Sequence, residues 1–356
     1  KSYITSIPPT SQTYNFTSSS NPTLINTGIH PYLYTENYNT NYIVTSTVKY
    51  LVAAGDSAGG LAYSLDGTNW FPNSQSVFTT LGRFSVWNDN ICVALGEGTN
   101  TLAYSTDGLS WTGLGTTVFD NYGSCAVYSD TLTRWVAGGN GSVNTLAYSN
   151  DGITWSGNGN AIFTGECNSI YWNGTIFMAV GSGTNNVAYS SDGINWTSTN
   201  ISGMTNIYSV IYIESLSRWV VVGNGTSSFA YSNDDGVTWT TLGKLYFTTA
   251  GYSLAINQPQ NLIIAGGNGT TYSMCYSYNG IDWSPILVDP FDGYCRGITY
   301  DILRGTWYAG GYNNTNLTTV LAYSNNGINW TGIGYDLPGI AYIFYSLCLS
   351  IGTPTN

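Results

Sequence analysis

The stretch Ala62-Tyr-Ser-Leu-Asp-Gly-Thr-Asn-Trp70 decides the fold, because related segments recur along the whole chain. The six later copies end at Trp111, Trp155, Trp196, Trp239, Trp283 and Trp330. Successive tryptophans lie 41, 44, 41, 43, 44 and 47 residues apart. This period fits a four-stranded propeller blade and is too short for two helices with a sheet. The repeat therefore predicts an all-β, seven-bladed β-propeller of four-stranded blades.

The residues between the tryptophans predict short strands separated by turns. In the unit that ends at Trp155, residues 124–128, 135–139 and 145–149 are β-branched or aromatic runs bounded by Gly, Asn or Asp. A fourth strand should begin near residue 154. A second position recurs eight residues after each motif tryptophan, and its residues are predicted to anchor the packing between blades. They are Phe78, Phe119, Phe163, Phe247 and Phe291, with Met204 and Pro338 at the other two places.

The two ends of the chain predict an arm and a closed ring. Residues 341–348 resemble the first strand expected at residues 251–255, but no further tryptophan motif follows them. We expect this C-terminal strand to complete the blade whose other strands begin near Val48, which would leave no long strand edge exposed. The predicted domains are an extended N-terminal arm at residues 1–40 and a propeller at residues 41–356, closed by the C-terminal strand.

The turn before each tryptophan contains an Asp or Asn. It reads Ser-x-Asp-Gly-x-x-Trp from Ser64, Ser105, Ser149 and Ser190, and it is one residue longer from Ser232. The side chain accepts backbone N–H bonds, glycine supplies a positive φ and the tryptophan is buried, so the predicted role is structural. The predicted structural-turn residues are Asp66, Asp107, Asp151, Asp192, Asp234, Asn279 and Asn326. The two asparagines lack the charge that calcium binding or acid catalysis would require.

This turn motif resembles the Asp-box repeat of bacterial neuraminidases. Proteins with that repeat include sialidases, xyloglucan-active glycosidases, sortilin-type receptors, photosystem assembly factors and lectin-like propellers. The resemblance covers nearly all of residues 41–356 and implies the scaffold alone, since one fold supports many functions.

Charge and hydropathy argue against two classes of partner. The formal charge is −11, the sequence pI is near 4.1, and the eight Lys and Arg residues are scattered. Nucleic-acid binding needs a basic stripe, so no nucleic acid is expected as a partner. The longest apolar candidate, residues 340–351, is shorter than the stretch of about 18 residues that spans a bilayer, so no membrane span is expected.

Several features predict a secreted or extracellular-surface glycoprotein. The numbering begins at Lys1 without an initiator methionine, so either a leader was removed or the sequence is a fragment, and removal of a leader is the simpler interpretation. Ten Asn-x-Ser/Thr sequons support a secretory route. The predicted glycosylation sites are Asn15, Asn140, Asn173, Asn195, Asn200, Asn224, Asn268, Asn313, Asn316 and Asn329.

The six cysteines are too widely spaced for a zinc knuckle or a CxxC redox pair. The repeat alignment places Cys125 and Cys167 near the innermost strands of neighbouring blades, and it relates Cys295 and Cys348 similarly. Either pair could form a disulfide in an oxidising compartment.

No catalytic signature stands out in the sequence. A sialidase needs clustered arginines, a tyrosine nucleophile beside a glutamate and an aspartate acid, but Arg134, Arg218 and Arg304 fall in equivalent turns of separate blades. A general glycosidase needs only two nearby carboxylates. The candidates, among which no pair is singled out, are Glu97, Asp120, Glu166, Asp289 and Asp292. The single histidine, His30, lies outside the repeats and argues against His-based triads and metal sites. We predict no catalytic, cofactor-binding or metal-binding residue and no cofactor.

The first forty residues suggest self-assembly. They match no blade, are rich in Ser, Thr, Asn, Pro and Tyr, and would be disordered alone. An extended arm can lie on its own propeller or add a strand to a neighbour, and the second route can build filaments. The predicted function is an extracellular structural or adhesive glycoprotein subunit that binds other copies of itself through this arm. The alternative is a carbohydrate-binding, lectin-like propeller, because its Trp, Tyr, Asn and Asp residues suit sugar rings; a glycosidase is the weakest hypothesis.

Overall fold

A computed structural model describes residues 50–57, 60–64, 70–88, 90–302, 304–313, 318–334 and 340–346, together with five short strands between Ser2 and Ser46. Within this part of the chain, helical structure is limited to two 3-10 turns, Glu214–Leu216 and Gln258–Gln260. The chain is nearly all-β, as the repeat predicts.

Seven antiparallel four-stranded units, numbered here as blades 1 to 7, follow one another along the chain. The strands of each blade are given from the innermost outward. Blade 1 consists of Ile340–Ser346, Leu51–Ser57, Leu61–Ser64 and Trp70–Pro72, and blade 2 of Leu81–Trp87, Cys92–Glu97, Leu102–Ser105 and Thr112–Gly113. Blade 3 consists of Tyr122–Ser129, Arg134–Asn140, Leu146–Ser149 and Ser156–Gly157, and blade 4 of Glu166–Trp172, Phe177–Ser182, Val187–Ser190 and Thr197–Thr199. Blade 5 consists of Met204–Ile213, Arg218–Gly225, Phe229–Ser232 and Thr240–Gly243, and blade 6 of Ala250–Asn257, Leu262–Asn268, Met274–Ser277 and Trp283–Pro285. Blade 7 consists of Tyr294–Asp301, Thr306–Asn313, Thr318–Ser324 and Thr331–Gly334. The architecture is a seven-bladed β-propeller, which confirms the predicted fold class.

The ring closes in blade 1, which combines strands from both ends of the propeller sequence. Ile340–Ser346 pairs antiparallel with Leu51–Ser57, with Ile340 opposite Ser57 and Tyr342 opposite Asp56. The same strand also contacts the innermost strands of blades 7 and 2. It therefore joins the last repeat to the first.

The hydrophobic core lies in layers between adjacent blades. Between blades 5 and 6, for example, Val222 and Phe229 pack with Ile263 and Ala265. The anchor residues that the sequence predicts belong to these layers, and Phe247 stacks on Phe229 with ring centroids 5.2 Å apart. Each of the five phenylalanine anchors is at most 2% exposed: Phe78, Phe119, Phe163, Phe247 and Phe291. Pro338 lies outside the described residues.

Strands from the N-terminal region pair with one another. Ser2–Tyr3, Pro31–Thr35 and Thr23–Asn26 form one three-stranded sheet, and Gln12–Phe16 pairs with Tyr42–Ser46. The last of these strands lies beyond the predicted domain boundary at residue 40. His30 lies outside the described residues.

The five described cysteines are buried free thiols: Cys92, Cys125, Cys167, Cys275 and Cys295. Of the two pairs expected from the sequence, Cys125 and Cys167 are neighbours without a bond between them. Cys348 lies outside the described residues.

Candidate ligand-binding site in the central channel

The innermost strands of the blades enclose a central channel. In blades 2 to 7 this strand has a β-bulge near its start, where one extra residue is left without a partner on the second strand. A bulge redirects the side chain of the extra residue. The bulged residues, here called the bulge ring, are Arg83, Ser124, Asn168, Tyr208, Tyr252 and Arg296. All six line a cavity of about 490 Å³.

A glycine in the second strand of each blade accommodates the bulge. A Cβ atom on Gly96 would lie 2.5 Å from the carbonyl oxygen of Leu81, and one on Gly181 would lie 2.0 Å from that of Glu166. Such contacts are too short for any side chain, so another residue would displace the inner strand. The equivalent glycines are Gly96, Gly139, Gly181, Gly223, Gly267 and Gly311. Their regular recurrence in the sequence is the signal from which the bulge ring could have been predicted.

Four tyrosines, here called the tyrosine arc, follow one another around the channel mouth in blades 5 to 7. Ring centroids are 5.5 Å apart between Tyr208 and Tyr252, 6.4 Å between Tyr252 and Tyr294, and 5.5 Å between Tyr294 and Tyr312. The Arg296 guanidinium lies 4.0 Å from the centroid of the Tyr252 ring. A cation–π contact thus orients one arginine of the bulge ring within the arc.

Amide and hydroxyl groups surround the arc and hold the channel wall. The side-chain amides of Asn206 and Asn224 both lie 3.4 Å from the Tyr208 hydroxyl. Ser209 and Ser253 accept hydrogen bonds at 3.1 and 3.0 Å from backbone N–H groups of the following blades. Asn168 donates to the carbonyl oxygen of Ile207 at 3.0 Å. These bonds between blades fix the positions of the bulge ring.

An ionic cluster lies on the side of the channel formed by blades 2 to 4. Arg83 Nη2 is 3.1 Å from Glu97 Oε2, and the Arg83 guanidinium is 3.8 Å from the centroid of the Tyr122 ring. The Tyr122 hydroxyl donates a short hydrogen bond to the Glu166 carboxylate. Burial raises the pKa of Tyr122 well above its ordinary value, and the bonded carboxylate of Glu166 raises it further. The phenol therefore keeps its proton at neutral pH.

Two arginines on different blades line the central channel. Arg83 and Arg296 both reach it because the inner strands of all blades converge on the axis. Together with the bonded Tyr122 and Glu166, they supply part of the residue set that a sialidase requires. Ser124 belongs to the same bulge ring, and its buried hydroxyl has no hydrogen-bond partner among the described residues.

The predicted structural turns lie at the other end of the blades, where the third strand meets the fourth. In blade 3, Asp151 Oδ1 accepts the N–H groups of Ile153 and Thr154 at 2.8 and 2.7 Å, and Trp155 Nε1 donates to the Gly152 carbonyl oxygen at 3.1 Å. The Oδ1 atom accepts a backbone N–H bond at each described turn: Asp107, Asp151, Asp192, Asp234, Asn279 and Asn326. Asp66 lies outside the described residues.

The remaining candidate carboxylates serve local loops. Asp120 accepts the N–H and hydroxyl of Ser142. Burial raises the pKa of Asp289 although it accepts N–H bonds from Ser273 and Phe291 at 2.7 and 2.9 Å. Asp292 is exposed. Across the described residues, no three His, Cys, Asp or Glu side chains are grouped to hold a metal ion.

The predicted glycosylation sites fall at both ends of the blades. Asn140, Asn224 and Asn268 lie where second strands reach the channel mouth, and Asn200 lies in the link between blades 4 and 5. Asn173, Asn195 and Asn329 lie in turns at the other end. The structure does not describe the side chains of Asn15, Asn313 and Asn316.

Neither a family profile nor a curated protein sequence matches the chain. Solved structures resemble its fold. The WD40 β-propeller domain of Doa1 is 11% identical with a TM-score of 0.52, over 74% of this chain and 85% of that chain. A chain of the mitotic checkpoint complex is 14% identical with a TM-score of 0.52, over 84% and 87%. The computationally designed Ika8 protein is 10% identical with a TM-score of 0.50, over 81% and 88%.

At these identities the similarity shows the β-propeller fold alone. The described residues also contain no helix that is long and apolar enough to cross a membrane.

Proposed function

We propose that the protein is an extracellular adhesive propeller that binds a carbohydrate at the mouth of its central channel. The observation that carries this proposal is a cavity of about 490 Å³ that Tyr208, Tyr252 and Arg296 line, with the Arg296 guanidinium against the Tyr252 ring. A cavity of this size suits one or two sugar rings.

The chemistry of the arc suits sugars in two ways. Tyrosine rings offer apolar faces for the C–H groups of a pyranose, and a phenol hydroxyl can donate or accept a hydrogen bond. The Asn206 and Asn224 amides and the guanidinium of Arg296 add donors for ring hydroxyls or for a carboxylate. Because the arc spans three rigid blades, it is held in place before the ligand arrives.

Binding to an array of neutral and acidic glycans, followed by calorimetry on the hits, tests the proposal. Tyr252→Ala and Arg296→Ala should each weaken binding by about tenfold or more, because they remove a stacking face and a donor. Tyr278→Ala is the matched control, since Tyr278 is 52% exposed in the turn at the other end of blade 6. Binding to no glycan, or an equal loss in the control, would contradict the proposal. Release of free sugar during the titration would instead indicate hydrolysis at Tyr122 and Glu166.

Self-association through the N-terminal region is the second proposed function. The observation that favours it is that Gln12–Phe16 and Tyr42–Ser46 pair only with each other among the described strands, which makes both of them edge strands there. Edge strands present unpaired backbone groups to a second chain. Light scattering on the full chain and on a variant lacking residues 1–46 tests this: assembly of the full chain alone supports it, and an equal number of chains per particle contradicts it.

A further inference from the structure

Two thiols meet at the junction between blades 3 and 4. Cys125 follows the bulged Ser124 in blade 3, and Cys167 precedes the bulged Asn168 in blade 4. Their Sγ atoms lie 2.8 and 2.5 Å from the position that a Cβ atom on Gly138 would occupy. Both side chains are buried, at 3% and 0% exposure. The two sulfurs therefore share one small space within the channel wall.

This junction recurs around the propeller, but with other residues. The equivalent positions hold Phe84 and Gly123 between blades 2 and 3, and Ser209 and Gly251 between blades 5 and 6. Among the described junctions, that between blades 3 and 4 is the one with a cysteine on both sides.

The second strand beneath the junction also differs. The residue opposite Cys125 is Gly138, and blades 6 and 7 also have a glycine there, whereas the equivalent residues in blades 2 and 5 are Leu95 and Val222. A leucine or valine side chain would occupy the space that the two sulfurs share. A glycine at this place therefore permits a contact between blades that the other two junctions exclude.

We propose that Cys125 and Cys167 form a disulfide that covalently links blades 3 and 4. The oxidant is a small disulfide of the glutathione class. One cysteine thiolate attacks its S–S bond and releases one thiol, and the second thiolate then displaces the other, which leaves the Cys125–Cys167 bond. The two electrons and two protons of the cysteines end on the two released thiols.

The bond would brace the channel mouth. Cys167 directly follows Glu166, and Cys125 lies three residues after Tyr122, so the link joins the strands that hold the Tyr122–Glu166 hydrogen bond. Burial raises the pKa of the Cys167 thiol, so its thiolate is scarce once the blades have packed. The bond therefore forms during folding. Its presence in the natural protein rests on the proposed extracellular location, whereas its formation from the purified chain does not.

Oxidative refolding of the full chain tests the link directly. The chain is refolded with reduced and oxidised glutathione, alkylated, deglycosylated, and cut after Lys, Arg and Glu. Cys125 then lies in the peptide 98–134 and Cys167 in the peptide 167–214, while Cys92 lies apart in 84–97. We expect the first two peptides as one cross-linked species that separates on reduction. Alkylation of both cysteines, or a link from either to another cysteine, would overturn the proposal.

Thermal unfolding provides an independent measurement. The Tm of the oxidised wild-type protein should fall by several degrees on reduction, because the bond constrains the unfolded chain. The Cys92→Ser variant should keep this response, and the Cys125→Ala/Cys167→Ala variant should lose it. If the double variant does not fold, a wild-type Tm that reductant leaves unchanged still refutes the link. No ligand is required, so the result does not depend on glycan binding.

Discussion

Arg134 Nη1 donates a hydrogen bond of 2.8 Å to the carbonyl oxygen of Asp192, and so connects blade 3 to the turn motif of blade 4. Arg218 repeats the contact two blades later, at 2.6 Å from the carbonyl oxygen of Asn279. The motif turns thus anchor the preceding blade as well as their own hairpins. This accounts for Arg134 and Arg218 at equivalent positions of separate blades without a shared ligand, whereas Arg304 forms an ion pair with Asp301 of its own blade.

Arg218→Ala should destabilise the propeller by about 1.5 to 3 kcal/mol, because it removes charge-assisted hydrogen bonds to Asn279 and to the Asn233 side chain. Denaturant unfolding measures the change. Lys244→Ala is the control, since Lys244 is an exposed cation that bonds within its own loop. Equal effects of the two substitutions would contradict the role of Arg218 between blades.

Gly267→Ala should impair both stability and ligand binding. Its Cβ would lie 2.5 Å from the Ala250 carbonyl oxygen and 2.6 Å from Phe247 Cγ, so the strand that carries the bulged Tyr252 must move. The expected cost is about 1 to 3 kcal/mol. Gly159→Ala is the control, because Gly159 has a φ of +81° but no atom within 4 Å of its Cβ position. It should lose some stability and keep full binding; loss of binding in both variants would contradict the steric explanation.

The aspartate turns should make stability depend on pH in acid. Partial burial alone would raise the pKa of Asp151, but N–H bonds from Thr154 and Ile153 and the hydroxyl of Ser149 outweigh it and lower the pKa from 3.8 to about 2. The ionised Asp151 carboxylate therefore makes its full contribution to the free energy of unfolding above about pH 4, and this contribution is lost as the pH falls toward 2. The contribution of this carboxylate to stability is small, because solvent screens the charges of an exposed turn.

Combined replacement of Asp107, Asp151 and Asp192 by asparagine should flatten the dependence of Tm on pH in this range, since Asn279 and Asn326 already make the same N–H contacts without charge. An unchanged acid profile in the triple variant would show that other groups cause the loss of stability.

A glycan on Asn224 would compete with ligand binding, because its side-chain nitrogen lies 3.4 Å from the Tyr208 hydroxyl. In glycosylated protein, Thr226→Ala removes this sequon and should strengthen binding. Thr175→Ala removes the sequon of Asn173, which lies at the other end of blade 4, and should leave affinity unchanged. Peptide mass spectrometry determines occupancy, and calorimetry determines affinity. An occupied Asn224 with no gain in the Thr226 variant would place the ligand elsewhere.

The fold could be predicted from the sequence because each blade repeats the same tryptophan turn. Seven copies at a period of 41 to 47 residues fit one architecture, and the phenylalanine register matches buried positions between blades. Strand bounds were close as well: the second strand of blade 3, predicted at residues 135–139, is Arg134–Asn140.

The channel site could not be predicted in the same way. Its side chains differ from blade to blade, so a comparison of repeats does not reveal which chemical groups face the channel. Arg83 and Arg296 are far apart in sequence and line one cavity only because the inner strands converge on one axis. What does recur is the glycine opposite each bulge, and it marks the position without revealing the side chain.

The closing strand Ile340–Ser346 also sets the order in which the protein can mature. Its partner, Leu51–Ser57, is translated before blades 2 to 7, and its sheet stays incomplete until the last strand of the propeller has been made. Arg83 and Arg296 stand on the two blades next to this strand. A chain that stops before residue 340 would therefore have an unpaired strand edge in blade 1 and an unfinished channel.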